Sequence, residues 1–147
     1  MDFELTEEHK QIREEVRRFG ENEIKPVAQE HDVEEKYPYE VVDKAADMGL
    51  LGASLPIEYG GAGYSVLENI IVAEELFSID PGIAFCIGAS SFGCEAIMEF
   101  GTEEQKERFL PDVASGDAIS GAAISEPDTG SDVSSVSTEA EKDGDEW

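Results

Sequence analysis

Apolar residues recur at helical spacing through most of the chain, and Gly/Pro-rich turns separate the repeats. Thr6 suits a helix N-cap, with Glu7 and Glu8 in the first turn where the helix dipole favours acids. Ile12, Val16 and Phe19 then fall on one face, and the segment is expected to bend or end between Gly20 and Pro26. A second helix is predicted from near Pro38, turning Val41, Val42, Ala45 and Met48 inward and stopping at Gly49. The glycine-rich stretch from Leu50 to Ser65 reads as a structural loop. A phosphate cradle would need glycines opening from a strand into a helix with a Lys nearby. A third helix is predicted over roughly Val66 to Ile79, with Ile70, Ala73, Leu76 and Phe77 apolar. Gly82 to Cys94 carries no charge and predicts one helix, apolar all round, at the centre of a bundle. Thr102 and Gln105 form a capping box for a last helix through Phe109, Leu110 and Val113 to Gly116.

Beyond Gly116 the pattern changes. Ala118 to Ser125 is short, small and uncharged, which fits a buried strand, and EPDTGSD is a loop. Val133 to Lys142 alternates weakly, with Val133, Val136 and Ala140 as candidates to face inward. Asp143-Gly144 is a hairpin signal, with Trp147 opening the returning strand. The expectation is a mostly α chain: an N-terminal helical domain over residues 1–116, then the truncated start of a β domain over 117–147.

Composition alters this picture mainly through charge. The 147 residues carry 35 Asp and Glu against 10 Lys and Arg, a net charge of −25. The acids are spread along the chain, fifteen up to Gly49, seven from Leu50 to Glu99 and thirteen beyond, so they form a coat and not a tail. Such a coat repels phosphate and argues against nucleic acid or anionic lipid as partner. It suits either a basic or cationic partner or a high-salt, halophilic cytoplasm in which screening suppresses self-repulsion. Cys86 and Cys94, eight apart in one predicted helix, would stand about 12 Å apart along its axis, beyond disulfide reach. No Cys/His cluster has metal-ligand spacing, so no metal is expected. Charge in the first 25 residues excludes a secretory signal, and no apolar run is long enough to span a bilayer. A cytoplasmic location follows as the expectation.

No complete catalytic constellation is legible. The segment that suits a ligand is SGAAISEPDTGSD, Ser120 to Asp132. A strand of small residues lets a flat ligand approach its backbone. Gly130 and Ser131 offer N–H groups and a hydroxyl able to hold a polarised heteroatom or a phosphate. The same residues equally suit a plain strand–loop connection.

That segment resembles the flavin signature of the acyl-CoA dehydrogenase family at Ser125, Glu126, Pro127, Gly130, Ser131 and Asp132. GLLGASLPIEYGGAG, FGTEEQKERFLPDVASGD and EKDGDEW resemble further family landmarks, in order and in register. The resemblance covers nearly the whole chain. It implies an N-terminal helical domain, a β-barrel-like middle domain and a C-terminal four-helix bundle, assembled as a homotetramer. It implies FAD as cofactor, acyl-CoA as substrate and an electron-transfer flavoprotein as electron acceptor. In the family a Glu removes the α-proton while hydride passes from the β-carbon to the flavin, giving a 2-enoyl-CoA. Carried over, Ala122, Ala123, Ile124, Ser125, Glu126, Pro127, Gly130 and Ser131 line the flavin, with the Ser125 hydroxyl at its pyrimidine edge. An aromatic residue is common in the family where this chain has Ala122. Ser131 also touches the CoA portion, and Gly88, Ala89 and Phe92 wall the deep end of the acyl pocket. The family's catalytic Glu lies downstream of these motifs, so no acid here is assigned that role, and the piece alone is expected to be inactive. An acyl-CoA oxidase, a flavin monooxygenase relative and a stand-alone helical binding module are the alternatives.

Overall fold

The computed structural model describes residues 4–144. Seven α-helices lie among them: α1 (Glu7–Phe19), α2 (Ala28–Glu34), α3 (Tyr39–Asp47), α4 (Val66–Ile79), α5 (Pro81–Gly88), α6 (Cys94–Phe100) and α7 (Glu103–Ser115). Their ends follow local chemistry. Thr6 Oγ1 accepts the His9 N–H at 3.2 Å, and His9 Nδ1 accepts the Thr6 N–H at 3.4 Å. Asp80 accepts the Ile83 N–H at 2.8 Å, and Pro81 supplies the first turn of α5. Thr102 and Gln105 close the predicted capping box, and Gly116 ends α7 at φ 86°.

The expected bend after Phe19 is a π-helical turn over Gly20–Ile24. It keeps the chain helical while rotating Ile24 fully into the core. The short helix α2 was not legible, because it buries no residue and so has no apolar face. Met48 does not turn inward: α3 ends at Asp47, and Met48, in the cap, is exposed.

The larger core joins Val16 and Phe19 of α1, Val41 and Ala45 of α3, Ile71 and Leu76 of α4, and Ile83 and Ile87 of α5. A smaller one joins Leu55 and Tyr59 of the glycine-rich loop to Cys94 of α6 and Leu110 and Val113 of α7. The loop is structural, as expected. At Gly61 a Cβ would sit 2.0 Å from the Leu55 carbonyl oxygen, so only glycine lets the two stretches of backbone meet.

The α1–α4 seam holds a buried charge. Glu75 is 2 % exposed. Arg17 donates to its two oxygens at 2.7 and 3.0 Å, and Arg13 Nε lies 3.1 Å from Oε1. Pairing is what makes the burial tolerable. The carboxylate holds the Arg17 guanidinium firmly protonated.

Further expectations are corrected. Gly82 to Cys94 is two helices and not one. Residues 89–93 turn, Ser90 Oγ donates to the Ile87 carbonyl at 2.7 Å, and Gly93 takes φ 92°. Cys86 and Cys94 therefore lie on different helices. Nor is α5 buried all round, since Phe85 is exposed. Ala118 to Ser125 is irregular and is not a buried strand. Its one described bridge runs parallel between Ser120 and Ser91, and Ile119 and Ile124 are exposed. Small uncharged residues favour burial only where a second layer covers them, and none does among the described residues. Val133–Ser135 is a 3₁₀ turn, and Val133, Val136 and Ala140 face solvent. Gly144 takes φ 66°, while Trp147 of the expected hairpin lies outside the described residues.

Candidate functional site

A cleft of about 670 Å³ opens between α4, α5 and the loop that follows α3. α4 makes it because both its faces are apolar. Ile71, Val72 and Leu76 enter the core, Val72 and Leu76 also lining the cleft, while Ile70, Ala73 and Phe77 lie a helical step round and face it. Ile87 and Gly88 of α5 form the opposite wall, with Phe92 beyond them. The Phe92 ring meets Phe85 edge-on, with centroids 6.0 Å apart. Gly88 contributes open space, since a Cβ built there meets nothing within 4 Å.

Polar groups at this cleft are few, and two of them are engaged locally. Asn69 Nδ2 donates to the Tyr64 and Ser65 carbonyls at 3.1 and 2.9 Å. Glu95 accepts the Gly93 N–H at 3.1 Å. A largely apolar hollow with a few polar groups at its edge is what an extended apolar ligand requires. A second hollow, about 710 Å³, lies between the α2–α3 connection and the start of α5. Its lining mixes His31, Lys36, Tyr37, Asp80 and Cys86, so it offers no continuous apolar wall. Burial holds the Tyr37 hydroxyl and the Cys86 thiol above their ordinary values.

The residues expected to wall an acyl pocket are partly brought together. Gly88 and Phe92 line the cleft, while Ala89, in the turn just after α5, is half-buried outside the lining. Sequence reasoning missed Asn69 and Glu95. It also missed that Ile70 and Phe77 face a cleft. The available signal was that α4 is apolar on two faces, one more than packing on a single core needs.

The expected flavin residues run from Ala122 to Ser131 as one stretch, exposed except at the half-buried Glu126 and Thr129. Ser120 ties that stretch to the cleft. Its N–H donates to the Ser90 carbonyl and its hydroxyl to the Phe92 carbonyl, both at 2.8 Å. The turn that carries Phe92 is thereby fastened to the strand-like segment. Among the described residues, the N–H groups of Ala122, Ala123, Ile124 and Ser125 make no hydrogen bond, and neither do those of Gly130 and Ser131. A bare backbone edge bearing only methyls at Ala122 and Ala123 accommodates a flat ring system. The open donors at Gly130 and Ser131 suit electron-rich atoms.

Two acids in this region face the loop itself. The Glu126 carboxylate accepts the Thr138 N–H at 2.8 Å, the Ser137 N–H at 2.9 Å and the Ser137 hydroxyl at 3.0 Å. Hydrogen bonding from Thr138 and Ser137 lowers its pKa to about 2. Asp132 accepts the Ser134 and Ser135 hydroxyls at 2.5 and 2.6 Å, which lowers its pKa as well. Among the described residues no group of His, Cys, Asp and Glu could hold a metal ion, and no helix is long and apolar enough to cross a membrane.

Fold and cleft together define a helical domain with a largely apolar cleft beside an irregular, donor-bearing segment. The family profile for "Acyl-CoA dehydrogenase, N-terminal domain" matches residues 6–117. The chain is 40 % identical over 148 residues to the short-chain specific acyl-CoA dehydrogenase of Clostridium acetobutylicum, covering 100 % of this chain and 39 % of that protein. It is 39 % identical to the mitochondrial isovaleryl-CoA dehydrogenase of Bos taurus, covering 97 % of this chain and 34 % of that one. The crystal structure of an acyl-CoA dehydrogenase complexed with FAD from Bacillus anthracis superposes with a TM-score of 0.80 at 34 % identity, over 88 % of this chain and 23 % of that one. The chain belongs to the acyl-CoA dehydrogenase family and spans well under half the length of these relatives.

Proposed function

We propose that this chain supplies the N-terminal wall of the substrate and FAD site in an enzyme that converts a saturated acyl-CoA to a 2-enoyl-CoA. The observation that carries the reading is the Ser120 tie, which sets the flavin-signature segment against the turn bearing Phe92 of the apolar cleft. In this reading the fatty chain lies along Ile70, Phe77 and Gly88, displacing water from the cleft. The Ala122 to Ser125 backbone holds a flat ring, with the Ser125 hydroxyl at its edge. Gly130 and Ser131 donate to electron-rich atoms of the ligands. FAD, when bound, supplies the hydride acceptor. No carboxylate of this chain is assigned the role of general base, so the piece alone is inactive. The division into a helical domain over 1–116 and the start of a β domain over 117–147 belongs to the same reading. So do a homotetramer and an electron-transfer flavoprotein as electron acceptor.

Expression of the uninterrupted reading frame that contains these residues tests it. A yellow protein whose flavin absorbance bleaches anaerobically on addition of a saturated acyl-CoA is expected. A colourless protein indifferent to FAD overturns the reading.

A further inference from the structure

Glu126 sits in the flavin-signature segment, yet most of its carboxylate's bonding capacity is spent within the loop. One oxygen takes the Thr138 N–H and the other takes both the N–H and hydroxyl of Ser137. An ionised carboxylate accepts about four hydrogen bonds and donates none, so three of its places are filled. These bonds join positions eleven and twelve residues apart, closing a loop whose ends would otherwise roam. Inside it, Glu126 and Thr129 exchange backbone bonds at 2.9 and 3.2 Å, and Thr129 Oγ1 donates to the Ser135 carbonyl at 3.1 Å. Among the N–H groups the closed loop leaves uncommitted are those of Gly130 and Ser131.

We propose that Glu126 is a positioning residue, a latch that shapes residues 126–138 before any cofactor arrives so that Gly130 and Ser131 present their N–H groups. The inference rests on the flavin reading above and replaces a direct contact at Glu126 with an indirect one. A loop held in its binding shape avoids the loss of affinity that comes from populating that shape only part of the time.

The test compares wild type with Glu126→Ala, Glu126→Gln and the control Asp128→Asn, which removes a nearby charge without touching these bonds. In the 147-residue chain, amide exchange at Ser137 and Thr138 is expected to quicken in Glu126→Ala and hold in Asp128→Asn. In the complete reading frame, stopped-flow FAD binding is expected to lose roughly tenfold in association rate if the competent shape falls to about a tenth of the population. Dissociation rate and bound-flavin spectrum stay as in wild type, which a direct contact or a general loss of fold would not allow. Glu126→Gln, which keeps one acceptor oxygen, falls between, and it decides the matter if the Ala variant does not fold. Unchanged association, or faster dissociation with a shifted spectrum, overturns the latch while wild type still binds FAD. Failure of wild type to bind FAD overturns the flavin reading itself.

Discussion

Replacing Gly88 with leucine probes the cleft with little risk to the fold. Gly88 closes α5, and a Cβ there meets nothing within 4 Å, so the new side chain grows into the hollow and not into a neighbour. Leucine is a better helix former than glycine by up to about 1 kcal/mol, so stability should hold or rise slightly. The four added carbons take space that an acyl chain would use. Loss of three to four methylenes, at about 0.8 kcal/mol each, amounts to roughly 2.4–3.2 kcal/mol. That corresponds to on the order of a hundredfold in kcat/KM for any chain long enough to need the space. The assay is kcat/KM of the complete enzyme across straight-chain acyl-CoA substrates of increasing length, beside thermal unfolding of wild type and variant. The expected result is a profile cut off at long chains with short chains spared. An unaltered profile at preserved stability refutes the assignment of this wall. A uniform fall at every length shows an effect on the fold instead.

Other outcomes follow from the charges. Glu75→Gln removes the buried carboxylate charge between two arginines that still reach water, at 36 % and 61 % side-chain exposure. It should cost about 2 kcal/mol in urea unfolding. Changing Arg13 and Arg17 together to methionine strands the carboxylate and should cost more, so the reverse order would contradict the pairing described. Because Glu126 is depressed to about 2 from 4.5, its latch is complete above about pH 4.5 and is lost as pH falls toward 2. A carboxyl chemical-shift titration of Glu126 with an ordinary midpoint would refute this. With 35 acids against 10 cations, dialysis from molar to low salt should reduce helical circular dichroism, and an unchanged spectrum argues against the high-salt reading of the coat.

The elements legible in advance were those whose causes are local. Thr6 and Thr102 cap helices through bonds to residues three positions on, Gly116 ends α7, and the bounds of α4 follow from its apolar span. The flavin-signature segment stood out only through its resemblance to the family, since its residues alone suit a plain strand–loop connection equally well. Tertiary structure decided the rest, because the deciding partners are far along the chain. The break at Gly93 accompanies the tie between Ser120 and the carbonyls of Ser90 and Phe92, which no helical periodicity reports. The two-sided role of α4 emerges only when α5 and the loop after α3 stand opposite it and leave a gap. Burial of Ala118 to Ser125 depends on a second layer, so small uncharged residues could not establish it. Glu126, expected from the signature to contact the flavin, shows its bonds to Ser137 and Thr138 only where the chain folds back to place them against it. Capping and periodicity are short-range and can be read residue by residue, whereas a cleft, a buried charge and a latch depend on residues that folding brings together.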